Sequence, residues 1–169
     1  MKTRASAAAL AVLLALSVSV DVLAQGFFED KNWQESEVPP PPPVDFTKLI
    51  AFNMAPGLAL TYGVDPATVK ISKSDSLVRY VMVATSSSGA RNVMYEAIRC
   101  STAEFKTYAR YSSDGQWRAV ENPQWRSMLN NMQSKHALQF ARAGACDAAS
   151  PVSSVPELVD KLKFFDQHP

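Results

Sequence analysis

The chain has 169 residues, with 17 Lys and Arg against 16 Asp and Glu, 47% hydrophobic residues, two cysteines and two histidines. That length suits one domain with a real core and is short for two. The near-neutral balance argues against a nucleic-acid binder working through a global basic excess, and the sparse, scattered Cys and His residues carry no metal-binding spacing.

The first elements concern destination. Lys2 and Arg4 precede an uncharged apolar and small-residue run from Ala5 to Val20, and Val22-Leu23-Ala24 offers a small-residue cleavage site. Residues 1–24 therefore read as a cleaved secretory signal. The run is short for a comfortable span of roughly 20 residues, so no stable membrane span is expected after cleavage. No cysteine stands directly after the site to accept a lipid. Removing the segment takes Lys2, Arg4 and Asp21 with it and leaves a neutral mature chain of about 145 residues. Cys100 and Cys146 both lie in the mature part, and an even count in an oxidising compartment predicts a Cys100–Cys146 disulfide. Closing that loop is worth about 4 kcal/mol.

Residues 25–45 form an acidic, proline-rich extension. Trp33, Glu35 and Glu37 alternate at period two, which predicts an edge strand over Trp33 to Val38, and Pro39 to Pro43 form a stiff polyproline spacer without backbone donors. Residues 46–150 read as the domain proper. Leu49 to Phe52, Leu58 to Val64 and Thr68 to Ser72 are short strand-like runs, broken by Pro56-Gly57 and Asp65-Pro66. Leu77 to Thr85 and Asn92 to Cys100, split by Ser86-Ser87-Ser88-Gly89, form a hairpin. A second hairpin, Phe105 to Tyr111 with Trp117 to Val120, turns through Ser113-Asp114-Gly115. Val81 and Val83 face one way, and Tyr80, Met82 and Ala84 the other, so this strand is expected to be covered on both sides.

After Asn122-Pro123, the spacing of Met128, Leu129, Met132 and Phe140 predicts a helix within Gln124 to Arg142, ended by Gly144. The disulfide would tie its end to the strand carrying Cys100. In the tail, residues 151–169, a last helix from Val155 to Phe165 has Ser154 as its cap and Pro156 in its first turn and carries Leu158, Leu162 and Phe165 on one face. The fold class that follows is α+β: an antiparallel meander sheet of about six strands with a disulfide-tethered helix in the C-terminal half.

Chemistry-bearing signatures are scarce. There is no H-E-x-x-H, no Gly-rich phosphate loop and no G-x-S-x-G elbow. His136 reads as packing on a half-buried helix face, and His168 is penultimate. Glu96 and Glu104 are the carboxylates nearest Cys100, and spacing alone does not show whether they approach each other as a glycosidase pair. No cofactor or metal is expected, and no catalytic residue is assigned. Charge is more informative: nine basic residues from Arg79 to Arg142 meet Glu96, Glu104, Asp114 and Glu121, whereas residues 25–47 hold Glu29, Asp30, Glu35, Glu37 and Asp45 against Lys31. A basic sheet whose charges partly pair with the acidic leader follows. The sharper reading makes Lys106, Arg110 and Arg118, interleaved with Tyr108, an anion-binding face for a polyanion such as lipopolysaccharide or a sulfated glycan.

The runs Trp33-Gln34-Glu35-Ser36-Glu37, Val78-Arg79-Tyr80, Ser88 through Cys100 (S-G-A-R-N-V-M-Y-E-A-I-R-C) and Asn122-Pro123-Gln124-Trp125-Arg126 resemble the CNP-like family of exported bacterial proteins, named after the cryptic neisserial protein. That resemblance carries no activity with it. In layout the chain is also similar to the surface-adhesin protein E family, which implies an antiparallel sheet with a helix tied to it by a disulfide and raises adhesion as a function. It departs from that family in showing no lipid anchor or surface-sorting signal. The expectation is a non-catalytic periplasmic binding or envelope-accessory protein whose partner is an envelope protein or a polyanionic ligand. A secreted or surface adhesin is the second class. A small envelope hydrolase is the third, and its sign would be His136 in a cleft with a carboxylate or hydroxyl partner.

Overall fold

The computed structural model describes residues 32–52, 59–131 and 134–167; the expected signal segment, the Pro56-Gly57 turn, Met132 and His168 lie outside the described residues. The strands are β1 (Ile50–Phe52), β2 (Leu60–Val64), β3 (Lys70–Ile71), β4 (Leu77–Ser86), β5 (Arg91–Arg99), β6 (Glu104–Tyr111), β7 (Trp117–Ala119) and β8 (Arg126–Ser127). They make one antiparallel sheet in the order β1-β2-β4-β5-β6-β7, with β3 beside β4 and β8 beside β6. A short ribbon of β9 (Cys146–Asp147) and β10 (Ser150–Pro151) stands apart.

The central hairpin follows from its sequence. Gly89 takes the positive φ of 82° that the tight turn requires, and its N–H returns to the Ser86 carbonyl. Period-two alternation then sends the two faces of β4 into separate cores, and every residue from Leu77 to Ala84 is buried. Val78, Tyr80, Met82 and Ala84 pack with Phe140, Leu158 and Leu162 of the helices. Leu77, Val81 and Val83 pack on the opposite face, with Val93, Tyr95 and Tyr108.

That second face is sealed by the extended segment 33–49, whose Trp33, Val44, Phe46 and Leu49 lie on it. The edge strand expected at Trp33 to Val38 does not form. Its anchors are side-chain bonds: Trp33 Nε1 donates to the Asp75 carbonyl, 2.8 Å, and the Ser36 N–H to Asp75 Oδ2, 3.0 Å. The proline run that follows cannot donate to a ladder, so the segment crosses the sheet as a strap.

The first helix, α1 (His136–Phe140), begins later than the apolar spacing suggests. Arg126 and Ser127 pair with β6, and Met128 N–H bonds to Ala103 O, so Met128 enters the core from a strand end while Leu129 is exposed. Beyond Phe140 the helix widens into a π turn over Ala141–Ala145 and stops at Gly144, φ +139°. A Cβ there would lie 2.6 Å from Lys161 Cβ, so close packing of the last helix, α2 (Val155–Gln167), demands glycine. Cys146 follows and is bonded to Cys100 at the end of β5. α2 is opened by Ser154, whose Oγ accepts the Glu157 N–H, and buries Leu158 and Leu162, worth about 2 kcal/mol each.

Candidate functional site

The site originates in a slip of register. Tyr95 lies opposite Ala109 and Glu96 opposite Thr107, which leaves Tyr108 as the extra residue of a bulge. Glu96 and Thr107 thereby share the helix face, and Tyr108 points under the strap.

Glu96 has no solvent exposure. A buried carboxylate must be compensated, and three donors do so: Thr107 Oγ1 at 2.8 Å, His136 Nε2 at 2.9 Å and the Tyr80 hydroxyl at 3.2 Å. Burial by itself would push the Glu96 carboxyl up, but His136, Thr107 and Tyr80 outweigh it and hold the group below its usual range. Tyr80 moves the other way, raised by burial and by the charge of Glu96. Because Glu96 is a carboxylate, His136 presents Nε2–H to it. In the neutral imidazole Nδ1 is then an acceptor, and Ser134 Oγ lies 2.7 Å from it. The Tyr62 hydroxyl is 3.0 Å from the same Ser134 oxygen. Tyr62 stacks on the imidazole at 5.5 Å, and Phe105 meets it edge-on.

The outer end of this relay, Tyr62, Ser134 and His136, lines a cleft of about 310 Å³. Leu60, Ala84, Met94 and Phe105 supply apolar wall, Ser134 and His136 polar groups, and the exposed Arg110 and Arg126 its rim. The Arg126 guanidinium lies 4.7 Å over the Phe105 ring. Both arginines also line a neighbouring cleft with Thr107, Asn122 and Gln124.

A family model described as the CNP1-like family matches residues 28–163. The chain belongs to the CNP1-like family. The match spans the strap, the whole sheet, the cleft and most of α2, so every cleft residue lies within the family domain of this CNP1-like protein. No curated protein and no solved structure matches the chain.

The three basic residues singled out from the sequence of this CNP1-like protein do not share one face. Arg110 and Arg118 stand opposite each other on β6 and β7, and Arg118 pairs with Asp114 of the hairpin turn. Lys106 is on the other face, 2.7 Å from Glu35 of the strap and over the rings of Tyr108 and Trp125. Arg126 takes the place beside Arg110 that the sequence reading gave to Lys106. Among the described residues, neither Arg110 nor Arg126 has a carboxylate partner. Glu96 and Glu104 have separate duties: Glu104 accepts from Thr102 and pairs loosely with Arg99.

The strap covers a second polar group. Arg79 reaches Asp75 at 2.7 Å, and Ser36 also donates to that carboxylate. Burial pushes the Asp75 carboxyl up, yet the bonds from Arg79 and Ser36 prevail and hold it well below the carboxylate range. Tyr108 is raised strongly, by burial and then by Glu35, to which it donates. These groups are shut beneath the strap and serve to hold it. Among the described residues no helix is long and apolar enough to cross a membrane, and no cluster of three His, Cys, Asp or Glu is placed to hold a metal.

Ser134 and Tyr62 were not marked by the sequence, and Arg126 stood there only as one of the nine basic residues and in the Asn122–Arg126 run, without a place in the anion-binding face. Ser134 and Tyr62 are 72 residues apart, and no local pattern joins them.

Proposed function

We propose that this CNP1-like protein is an exported protein of the periplasm that binds a ligand by an anionic group, a carboxylate or phosphate, seated between Arg110 and Arg126. The observation that carries this reading is the pair of exposed guanidinium groups, unpaired with carboxylates among the described residues, at the rim of an apolar-walled cleft. Guanidinium groups bind carboxylate and phosphate in a bidentate fork, and the walls of Leu60, Met94 and Phe105 suit a short apolar body behind the charged head. Export is supported by the basic, apolar, small-residue order of residues 2–24 and by the disulfide, which suits an oxidising compartment.

Calorimetric titration with hexyl phosphate and with hexanoate tests the binding. Replacing Arg110 and Arg126 together by Ala should weaken it at least about tenfold, about 1.4 kcal/mol. Lys106→Ala, on the opposite face, should not alter it. Equal affinity in the double variant overturns the assignment. For location, recovery in osmotic-shock fluid supports the periplasm, and recovery in the outer membrane or medium overturns it in favour of a surface or secreted role.

A further inference from the structure

We propose that Ser134 is an activated nucleophile, with His136 as its base and Glu96 as the group that orients that base and stabilises it once it has taken the proton, forming an acyl-transfer centre at the side of the cleft. Its preference for esters carrying an anionic group rests on the binding reading above; the nucleophile itself does not.

The geometry has the order that nucleophilic catalysis by a hydroxyl requires. Ser134 Oγ lies 2.7 Å from His136 Nδ1, and His136 Nε2 lies 2.9 Å from Glu96 Oε2. Glu96 fixes the tautomer in which Nε2 carries the hydrogen, and this leaves the Nδ1 lone pair directed at the serine. It also stabilises the imidazolium that forms when the serine proton is taken. Thr107 and Tyr80 hold the carboxylate in place from behind. The Tyr62 hydroxyl, 3.0 Å from Oγ, is a donor next to the point of attack, where an oxyanion would develop.

Local turn formation explains only part of this. Ser134 Oγ also lies 3.4 Å from the His136 N–H, as a turn serine would. Such a turn needs no carboxylate 40 residues away in the core. Burying Glu96 carries a large desolvation cost before its partners compensate it, and an apolar residue of similar volume would fill the space without that cost. Ser134 and His136 meanwhile line the cleft, so the relay ends where a ligand can reach it.

The reaction balances without an added oxidant or reductant. Ser134 Oγ attacks the ester carbonyl carbon and its proton passes to His136 Nδ1. The carbonyl oxygen, now negative, accepts from Tyr62. Collapse breaks the ester C–O bond, and the Nδ1 proton goes to the departing alkoxide. Water then attacks the acyl-serine, gives its proton to Nδ1, and the carboxylic acid leaves as Ser134 recovers its hydrogen. Ester and water become acid and alcohol.

The experiment treats the folded mature protein with a fluorophosphonate probe and maps the adduct by peptide mass. In parallel it follows hydrolysis of p-nitrophenyl butyrate and of the mono-p-nitrophenyl ester of succinic acid. A single adduct on Ser134 is expected, together with hydrolysis that falls about 100-fold in Ser134→Ala. Absence of an adduct on Ser134 in the folded wild type overturns the proposal, whatever any variant does. So does hydrolysis unchanged in Ser134→Ala. Labelled Ser134 with equal rates on the two esters upholds the nucleophile and removes the anion preference. Hexyl phosphate binding through the two arginines without labelling removes the nucleophile and leaves the binding reading standing.

Discussion

Glu96 is the residue whose surroundings are tuned most closely, since each of its bonds answers a charge held out of water. Replacing it with Ala should cost about 3–5 kcal/mol, because His136 and the Tyr80 and Thr107 hydroxyls lose their common acceptor together. Urea midpoints of the two proteins measure this. Glu96 and Asp75 also set the acid behaviour: both are held below their usual range in the folded state. The unfolded chain therefore binds protons first as pH falls. Stability from these groups is complete above about pH 4 to 4.5 and is lost progressively as pH drops below that range toward their folded values. Urea midpoints between pH 7 and pH 2 should fall on the acid side, and a flat profile would contradict the buried-carboxylate account. Asp75→Asn should make the acid limb shallower. At this scale the sequence is least informative. Glu96 and His136 stood out singly as residue types capable of chemistry, but their 2.9 Å contact is created by the fold across 40 positions, and Ser134 and Tyr62 had no motif to mark them.

Among elements, the turn that ends α1 is the most constrained by its neighbour. Gly144→Ala should destabilise by about 1–3 kcal/mol, combining a positive φ with a clash against Lys161 Cβ. A melting temperature several degrees lower is expected, and an unchanged one would mean that α2 moves aside at no cost. The hairpins were legible because Ser-rich and Asp-Gly turns, flanked by alternating apolar residues, leave few other solutions. The early part of the expected helix was not, for Met128 satisfies helical spacing and strand-end burial equally well. Pairing of Arg126 and Ser127 with β6 decides between them, and that pairing depends on distant residues. Trp33, Glu35 and Glu37 misled in the same way: period two describes any extended chain with one buried side, whether or not it joins a ladder.

For the whole molecule, two apolar faces on one central strand imply two covering layers, and this much could be read from Leu77 to Ala84 alone. The helical layer could be read too, from the expected Cys100–Cys146 bond to a helix in the C-terminal half. The other layer showed in the sequence only as charge pairing between the acidic leader and the sheet, because the strap is polar and proline-rich. The disulfide fixes the helical layer to the end of β5, with Cα atoms 5.7 Å apart. Cys100→Ser should lower stability by about 4 kcal/mol, and thiol labelling of the native protein should find no free cysteine. Quantitative labelling without reductant would refute the pairing.

The strap has a consequence for the order in which the molecule assembles. Its bonds from Glu35 to Lys106 and Tyr108 join positions 71 and 73 residues apart, while the hairpins beneath close over short loops. Loop-closure entropy and contact order place the distant contacts late. The sheet and its disulfide-bound helices should therefore form first, and the strap should settle as a final, separate phase. In pulsed hydrogen exchange during refolding, the Ser36 amide should gain protection after the amides of β4 and β5. Simultaneous protection would show that the acidic leader takes part in nucleating the sheet it covers.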